Sequence, residues 1–592
     1  MVRKGAYTMI PGLSETFIHS QATASSYQRG REYFRGGAVD NLMQRGNTLH
    51  ADVEGSDYDP YQVSITFDAG GVQVASCTCP YDYAGWCKHI VAVALACIQQ
   101  PEQIESRPPL NHLLADLNRD QLIQLIQSLV AAQPVLNEII EQQLAQNQLT
   151  PPQPKATAAS PARHTPVDAQ SYRRQAKQLI GGLQRMRSSE AYWHVGSTLK
   201  QVRELLGKTQ GFLAGGDADN ALTIFEAVVD EYVQHWVEMD DSDGEASGFF
   251  YDLDRPLAEI LLSVELPVKE RKRWLSQLDQ WANEVENYGV EEPFDLARQV
   301  LAHATTVDEL IAEGNVSSSL ADLLLNILER RGDNATFLQL AQQSGQSVRY
   351  TQKLVALGRT AEAMTYALAH LQRAEAALSL AQTLRAQAAL PEALTIGERG
   401  LTLAGEKGAL STWLRDLAQS LGKGELALAA ARIAFQSNVE LDNYRRLQEM
   451  AGDQWPSERK AALALIRTGG SELRLSGAID VLLDEKLVDD AIALVERKGA
   501  YYSYEVLAQV VEAAIPVQPD WAIRQSLHQA NQIIQPGKAD IYHHAVEWLR
   551  RARDAWRASR RASEWQTYLD QLRSGPHGRK YKLMGLLDGI SR

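Results

Sequence analysis

The sequence predicts a mainly α-helical protein, in which a small N-terminal α+β domain built around a metal ion precedes a long α-helical solenoid. Three observations predict it. All four cysteines, Cys77, Cys79, Cys87 and Cys97, fall in one short segment of the 592-residue chain. Brief runs of alternating apolar residues lead up to that segment, whereas everything after Tyr172 has helical periodicity. In the second half of the helical part, small residues recur in similar settings at Ala363, Ala393, Ala427, Ala461 and Ala491, at spacings of 30, 34, 34 and 30 residues.

Taken in order, Thr23 to Gly37 reads as a helix, with Ser25 or Ser26 as N-cap and Gly36-Gly37 as terminator. Leu49, Ala51 and Val53 then alternate along one strand, and Val63, Ile65 and Phe67 along the next, with turns at Gly46-Asn47 and Gly70-Gly71. That is the pattern of a small antiparallel meander. A last strand, Val72 to Cys79, delivers the first two cysteines, and an apolar helix runs from His89 to Ile98. Leu110 to Leu144 reads as two amphipathic helices broken at Pro134. Thr150 to Pro166 is rich in proline and alanine and nearly free of large apolar residues, which predicts a disordered linker that uncouples its two sides. A small residue early in the second helix of a helical hairpin lets its partner approach closely, and a period near 34 is that of tetratricopeptide-like repeats. The Trp, Tyr and Pro positions of that consensus do not recur regularly, so the array is degenerate. The expected domains are 1–105 around the metal, a helical hairpin at 106–149, a linker at 150–170, an acidic helical domain at 171–345 and a repeat array at 346–592.

The metal site follows from spacing. Residues two apart in an extended strand point to the same side, so Cys77 and Cys79 reach one ion, and Cys87 and His89 return at the entrance of the next helix. Pro80 closes the strand and Gly85 supplies a turn tolerant of positive φ. Clustered thiols in a reducing compartment point to metal rather than to disulfides. Three thiolates and one imidazole make a closed tetrahedral shell for Zn2+ with no open position for water, which stabilises a fold and does no chemistry. Lys88 partly offsets the surplus negative charge of that shell. Cys97, on the apolar face of the following helix, is a free core cysteine.

The Cys-x-Cys…Cys-x-His pattern, with GWCKHIVAVAL after it and YQRGREYFRGGAV, GSDYDPYQVSITF and GVQVASCTCPY before it, resembles a SWIM zinc finger over Ser25 to Ala96. That finger occurs beside bacterial Swi/Snf-type ATPases, in Mu-type plant transposases and in recombination accessory proteins. The helical C-terminal region looks similar to that of bacterial SWIM proteins without the ATPase. The resemblance implies zinc as cofactor, held by Cys77, Cys79, Cys87 and His89, and a DNA-binding or protein-binding role with a protein partner such as a Swi/Snf-type ATPase.

Other features narrow the function. No stretch approaches about 18 consecutive apolar residues, so no membrane span is expected. The N-terminus lacks a secretory apolar core, and a cytoplasmic location is expected. Gly211 to Ala297 holds 21 acidic against five basic residues, which accounts for more than the whole net charge of −14 and leaves the remainder close to neutral. Gly207-Lys208-Thr209 lacks the leading glycine of a phosphate loop, and Val228 to Glu231 sits in a helical pattern rather than a strand. The acidic run Asp240 to Glu245 lacks the outer ligands of an EF-hand, and His543-His544 has no further metal ligands nearby. No enzyme and no small-molecule substrate are expected.

Two segments are candidate nucleic-acid surfaces. One holds Arg29, Arg31, Arg35, Arg45 and Lys88 near Tyr27, Tyr33 and Trp86. The other is Leu549 to Arg592, with 11 basic against four acidic residues, where Arg557, Arg560 and Arg561 interleave with Trp556, Trp565 and Tyr568. The same aromatics recur at helical spacing, as they do when they pack a terminal hairpin. The expected function is a non-catalytic module for DNA or proteins; the rival is a pure protein scaffold in which zinc only staples the N-terminal fold.

Overall fold

The computed structural model describes residues 9–55, 59–81, 83, 85–115, 117–133, 136, 140, 166–184, 186, 188–264, 266–303, 306–314, 316–469, 473–498 and 503–590. The chain forms two compact units. One comprises residues up to Leu113 together with those from Gln372 on, and the other runs from Leu114 to Leu371.

The N-terminal part of the first unit holds helices α1 (Glu15–Gln21) and α2 (Ala24–Arg35), strands β1 (Val39–Arg45), β2 (Thr48–Val53), β3 (Tyr61–Asp68) and β4 (Gly71–Cys77), helix α3 (Lys88–Gln99) and strand β5 (Glu105–Arg107). The sheet order is β4-β3-β2-β1-β5, an antiparallel meander with β5 added parallel to β1. Leu49, Ala51, Val53, Val63, Ile65 and Phe67 are all buried, as their alternation requires. They form one core with α3, which is buried from His89 through Cys97. Helix α2 packs on α3 at Gly30, where a Cβ would come within 2.4 Å of Val91.

Several local boundaries differ from the sequence reading. The N-cap of α2 is Thr23, whose side chain accepts from the Ser26 amide. Strand β1 escaped the alternation test because Asn41 takes a positive φ of 49° and the register shifts between Asp40 and Met43. Strand β4 ends at Cys77 rather than Cys79. Between Leu110 and Leu144 the helices Leu110–Leu114 and Arg119–Ala132 are divided at Asn118, which forms a capping box with Gln121, and the second ends at its C-cap Gln133, directly before the expected break at Pro134. Pro134 and residues 150–165 of the expected linker lie outside the described residues; a helix begins at Ala169.

The second unit is helical. Gly207-Lys208-Thr209 lies inside the helix Ser188–Ala214, and Val228 to Glu231 inside Ala218–His235, so neither has the strand context of a nucleotide site. Tyr232, Phe249, Phe250, Trp274, Trp281 and Phe294 are buried in this unit. No described helix in the chain is long and apolar enough to cross a membrane.

The C-terminal part of the first unit is a run of helices that includes α4 (Ala374–Ala386), α5 (Leu390–Leu401), α6 (Gly408–Ser420), α7 (Gly424–Ser437) and α8 (Leu441–Ala451), and continues to Tyr581–Asp588. Its repeat has a local cause. Ala388, Gly422, Lys486 and Arg560 all take positive φ between paired helices, as do Gly345 and Gly358 in the other unit. The amide one residue further on bonds back to the last turn, for example Ala389 to the Leu384 carbonyl at 2.9 Å and Lys423 to that of Ala418 at 2.8 Å. These are Schellman ends, which satisfy the last free carbonyls and reverse the chain. The small residue five positions after this turn is buried each time at Ala363, Ala393, Ala427 and Ala491. Ala461 breaks the rule: it is exposed and Ala462 is buried instead. The helix Trp455–Thr468 is entered through a 3-10 turn at Gly452–Gln454, which shifts the phase. Ala388 is exposed with φ of 59°, where the turns at 345, 358 and 422 have glycine. Ala388→Gly is therefore expected to raise the stability of this unit by about 1 kcal/mol, read from the urea midpoint. A lowered midpoint would show that the methyl group contributes packing.

The N-terminal α+β region rests on this array. Asp68, at the end of β3, takes two bonds from Arg385 of α4: Nε to Oδ2 at 3.0 Å and Nη2 to Oδ1 at 2.9 Å. Arg385 Nη2 also lies 3.1 Å from the Gly71 carbonyl and 3.2 Å from that of Val72. Gly70 and Gly71 permit the approach, since a Cβ on Gly70 would lie 2.3 Å from Leu417 Cδ1 of α6 and one on Gly71 2.8 Å from Ser420 Oγ. His19 Nδ1 of α1 meets Asp442 of α8 at 2.8 Å. The uncoupling expected from the linker is thus not what holds between the finger and these helices.

Candidate metal centre

Each donor is placed by a different local device. Cys77 is the last residue of β4, opposite Val63 of β3. The pairing extends one residue further, because the Thr78 amide donates to the Gln62 carbonyl at 3.1 Å and the Gln62 amide to Thr78 Oγ1 at 2.9 Å. Cys79 thus comes from a bend anchored to β3. The chain then turns at Gly85, with φ of 85°, close enough to α1 that a Cβ would lie 2.7 Å from the Gln21 carbonyl. The Trp86 amide donates to that same carbonyl at 2.7 Å, and the Trp86 ring meets Phe17 edge-on. This fixes Cys87 as N-cap of α3 and His89 in its first turn.

The donor atoms of Cys77, Cys79, Cys87 and His89 all lie within 4.8 Å of one another. Cys87 and His89 are buried, and the other two are half-buried. His89 Nδ1 lies 3.6 Å from Cys77 Sγ. A tetrahedral zinc at about 2.3 Å from sulfur and about 2.0 Å from nitrogen separates such a pair by about 3.6 Å, so the residues fit the ion. The imidazole is held by Tyr61, stacked at 4.4 Å between centroids, and by Tyr33, edge-on at 5.3 Å.

The protons of the thiols point the same way. Hydrogen bonding from Cys77 holds the Cys87 thiol down at about 4 despite its burial, while that contact with Cys87 and burial push Cys77 up. Burial also raises Cys79. Three sulfurs this close cannot all be anionic unless a cation sits among them, which is what a divalent ion supplies. Cys97 stands apart in the core of α3, and burial alone pushes its thiol up to about 12.

The other sequence-predicted residues fall differently. Arg29 and Arg35 are exposed on α2, and Arg31 lies 5.9 Å from the Tyr27 ring. Lys88 is held by Tyr33, with its amine 2.8 Å from the phenol oxygen and 4.5 Å from the ring centroid. Arg45 bonds the Pro108 carbonyl. At the C-terminal end Trp556 and Trp565 are buried and stack with half-buried Tyr568, so these rings pack the terminal hairpin. Arg561 is ion-paired with both Glu564 and Asp520, whereas Arg557 and Arg560 are exposed. The sequence reading missed the Asp68–Arg385 pair. A Gly-Gly turn after a strand gives no signal of what it will touch.

A small sheet and helix closing on three thiols and an imidazole define a zinc-finger module. Residues 61–98 match the family model of the SWIM zinc finger. The Zinc finger SWIM domain-containing protein 8 homolog of Drosophila melanogaster is 35% identical over 116 residues, 19% of this chain and 6% of that protein. Zinc finger SWIM domain-containing protein 8 of Homo sapiens is 34% identical over 137 residues, 21% of this chain and 7% of that protein. The chain thus spans less than a tenth of the length of either relative. The crystal structure of the P58(IPK) TPR domain aligns with 66% of this chain and 98% of that chain, at 16% identity and a TM-score of 0.16. A superposition that poor carries no argument; the solenoid rests on the helical hairpins themselves.

Proposed function

We propose that this protein is a non-catalytic, zinc-stapled protein-interaction module, in which the SWIM finger and the helical array present one combined surface. The observation that carries the reading is the Asp68–Arg385 clamp, which makes the finger part of the array. The four donors complete a tetrahedral shell, so the ion closes the fold and leaves no position for a substrate. Trp556 and Trp565, buried as they are, offer no stacking platform for bases.

A second reading, DNA binding through α2, is favoured by the exposure of Arg29 and Arg35. One experiment separates the two. Full-length protein and an Arg29→Ala, Arg31→Ala, Arg35→Ala variant are used to capture partners with and without nuclease, and titrated with duplex DNA at several salt concentrations. The interaction reading expects defined protein partners that survive nuclease and the triple substitution. Partners lost on nuclease treatment, with duplex affinity that falls steeply with salt and a slope flattened by about three contacts in the variant, would favour DNA instead. A Swi/Snf-type ATPase is one partner this capture would reveal.

A further inference from the structure

The imidazole of His89 offers one nitrogen to the thiols and leaves the other alone. Nδ1 lies 3.6 Å from Cys77 Sγ. Nε2, in a residue only 2% exposed, is buried with no hydrogen-bond partner among the described residues. A metal-binding histidine ordinarily donates its other ring N–H to a carboxylate, a carbonyl or a water, which fixes both tautomer and ring orientation. The described residues supply no such acceptor here.

What surrounds the ring instead is aromatic. Tyr61 stacks on the imidazole with centroids 4.4 Å apart and planes inclined by 22°, and Tyr33 meets it edge-on. The two rings come from different elements. Tyr61 opens β3, whereas Tyr33 lies on α2, where Lys88 donates to its phenol oxygen at 2.8 Å. Gly55 makes room for the stack, since a Cβ there would lie 2.3 Å from Tyr61 Cε2. Tyr61 is 7% exposed, so the stacked pair is shielded from water. An imidazole bound to a divalent ion carries part of that ion's charge, and the electron-rich face of an aromatic ring attracts a cation more strongly away from water. The stack therefore favours the metal-bound imidazole over the free one, beyond filling the space beside it.

We propose that His89 holds the metal through Nδ1, carries its proton on Nε2, and is oriented by the stacked ring of Tyr61 in place of a hydrogen-bonded partner. Tyr61 is then a positioning residue of the metal centre, outside the four donors. The inference rests on the zinc staple and is independent of which partner the protein binds.

Two measurements on the full-length, zinc-loaded chain test it. In protein labelled with nitrogen-15 histidine, the His89 ring N–H should exchange slowly with water and correlate with both carbon-bound protons of its ring, as an Nε2–H does. Its disappearance in His89→Cys, which keeps a fourth metal donor, assigns the signal. No such signal, or one that correlates with a single carbon-bound proton, would overturn the assignment of the metal to Nδ1. Zinc affinity is then measured by competition with a chelator. Tyr61→Phe keeps the ring and should bind within about threefold of wild type, whereas Tyr61→Leu should bind about tenfold more weakly. Tetrafluorophenylalanine at position 61 has nearly the shape of phenylalanine but an electron-poor face, and it should bind nearly as weakly as Tyr61→Leu. An affinity equal to that of Tyr61→Phe would mean that the ring only fills space, and would overturn the positioning role. Should both measurements fail while Cys87→Ser still loses its zinc, the staple stands and only the role of Tyr61 is rejected.

Discussion

Cys87→Ser is expected to strip the protein of its metal. Purified wild-type chain should contain one zinc, and the variant none, by elemental analysis. Binding at a structural zinc site is folding free energy, about 10–16 kcal/mol in small zinc fingers, far more than the core of a small domain supplies alone. The sheet, α2 and α3 should therefore lose protection from hydrogen exchange. The clamp adds a consequence that the sequence did not suggest. When the β3–β4 turn unfolds, Arg385 of α4 and Leu417 of α6 lose their cover, so amides of α4 and α6 should also exchange faster. Helices of the second unit should keep their protection. Cys97→Ser should retain the full metal content, because that thiol belongs to the α3 core and not to the cluster. Zinc persisting in Cys87→Ser would refute the site.

Arg385→Ala should have the second largest effect. Its side chain is 9% exposed and that of Asp68 17%, so removal leaves two carbonyls without that donor and a shielded carboxylate without its counter-charge, held only by the Gly70 amide and the Gln73 side chain. Breaking a buried pair from one side costs about 3–5 kcal/mol. Hydrogen exchange of the Gly71 to Val74 amides, with zinc bound, reads the local opening. Asp68→Ala in the same background should recover part of the loss, since it removes the stranded charge. A cost below about 1 kcal/mol would mean that the pair behaves like an exposed surface contact.

Much of the finger was legible because its signals are local. Alternation at Leu49, Ala51 and Val53 marks a strand wherever the strand lies, and two-residue spacing of Cys77 and Cys79 lets both reach one ion. Strand β1 was missed for an equally local reason: Asn41 with positive φ and the adjoining register shift scramble its alternation. The helical repeat was legible through the buried alanines, and failed at Ala461 where a 3-10 turn replaces the Schellman end. The basic and aromatic C-terminus misled in part, because composition does not distinguish Trp556 packed in a core from Trp556 offered to a base.

Spacing along the chain was enough to bring out the cluster of Cys77, Cys79, Cys87 and His89, the strands beside it and the phase of most of the helical hairpins. Each depends on residues close along the chain, whose spacing sets which side chains share a face. It took the packed chain to show that Asp68 meets Arg385 across 317 residues, that β4 borders a cavity, and that Arg561 is committed to Asp520 and Glu564. Those contacts depend on how packed elements bring distant segments together. A turn glycine or a surface arginine looks the same in sequence whichever partner the fold delivers to it.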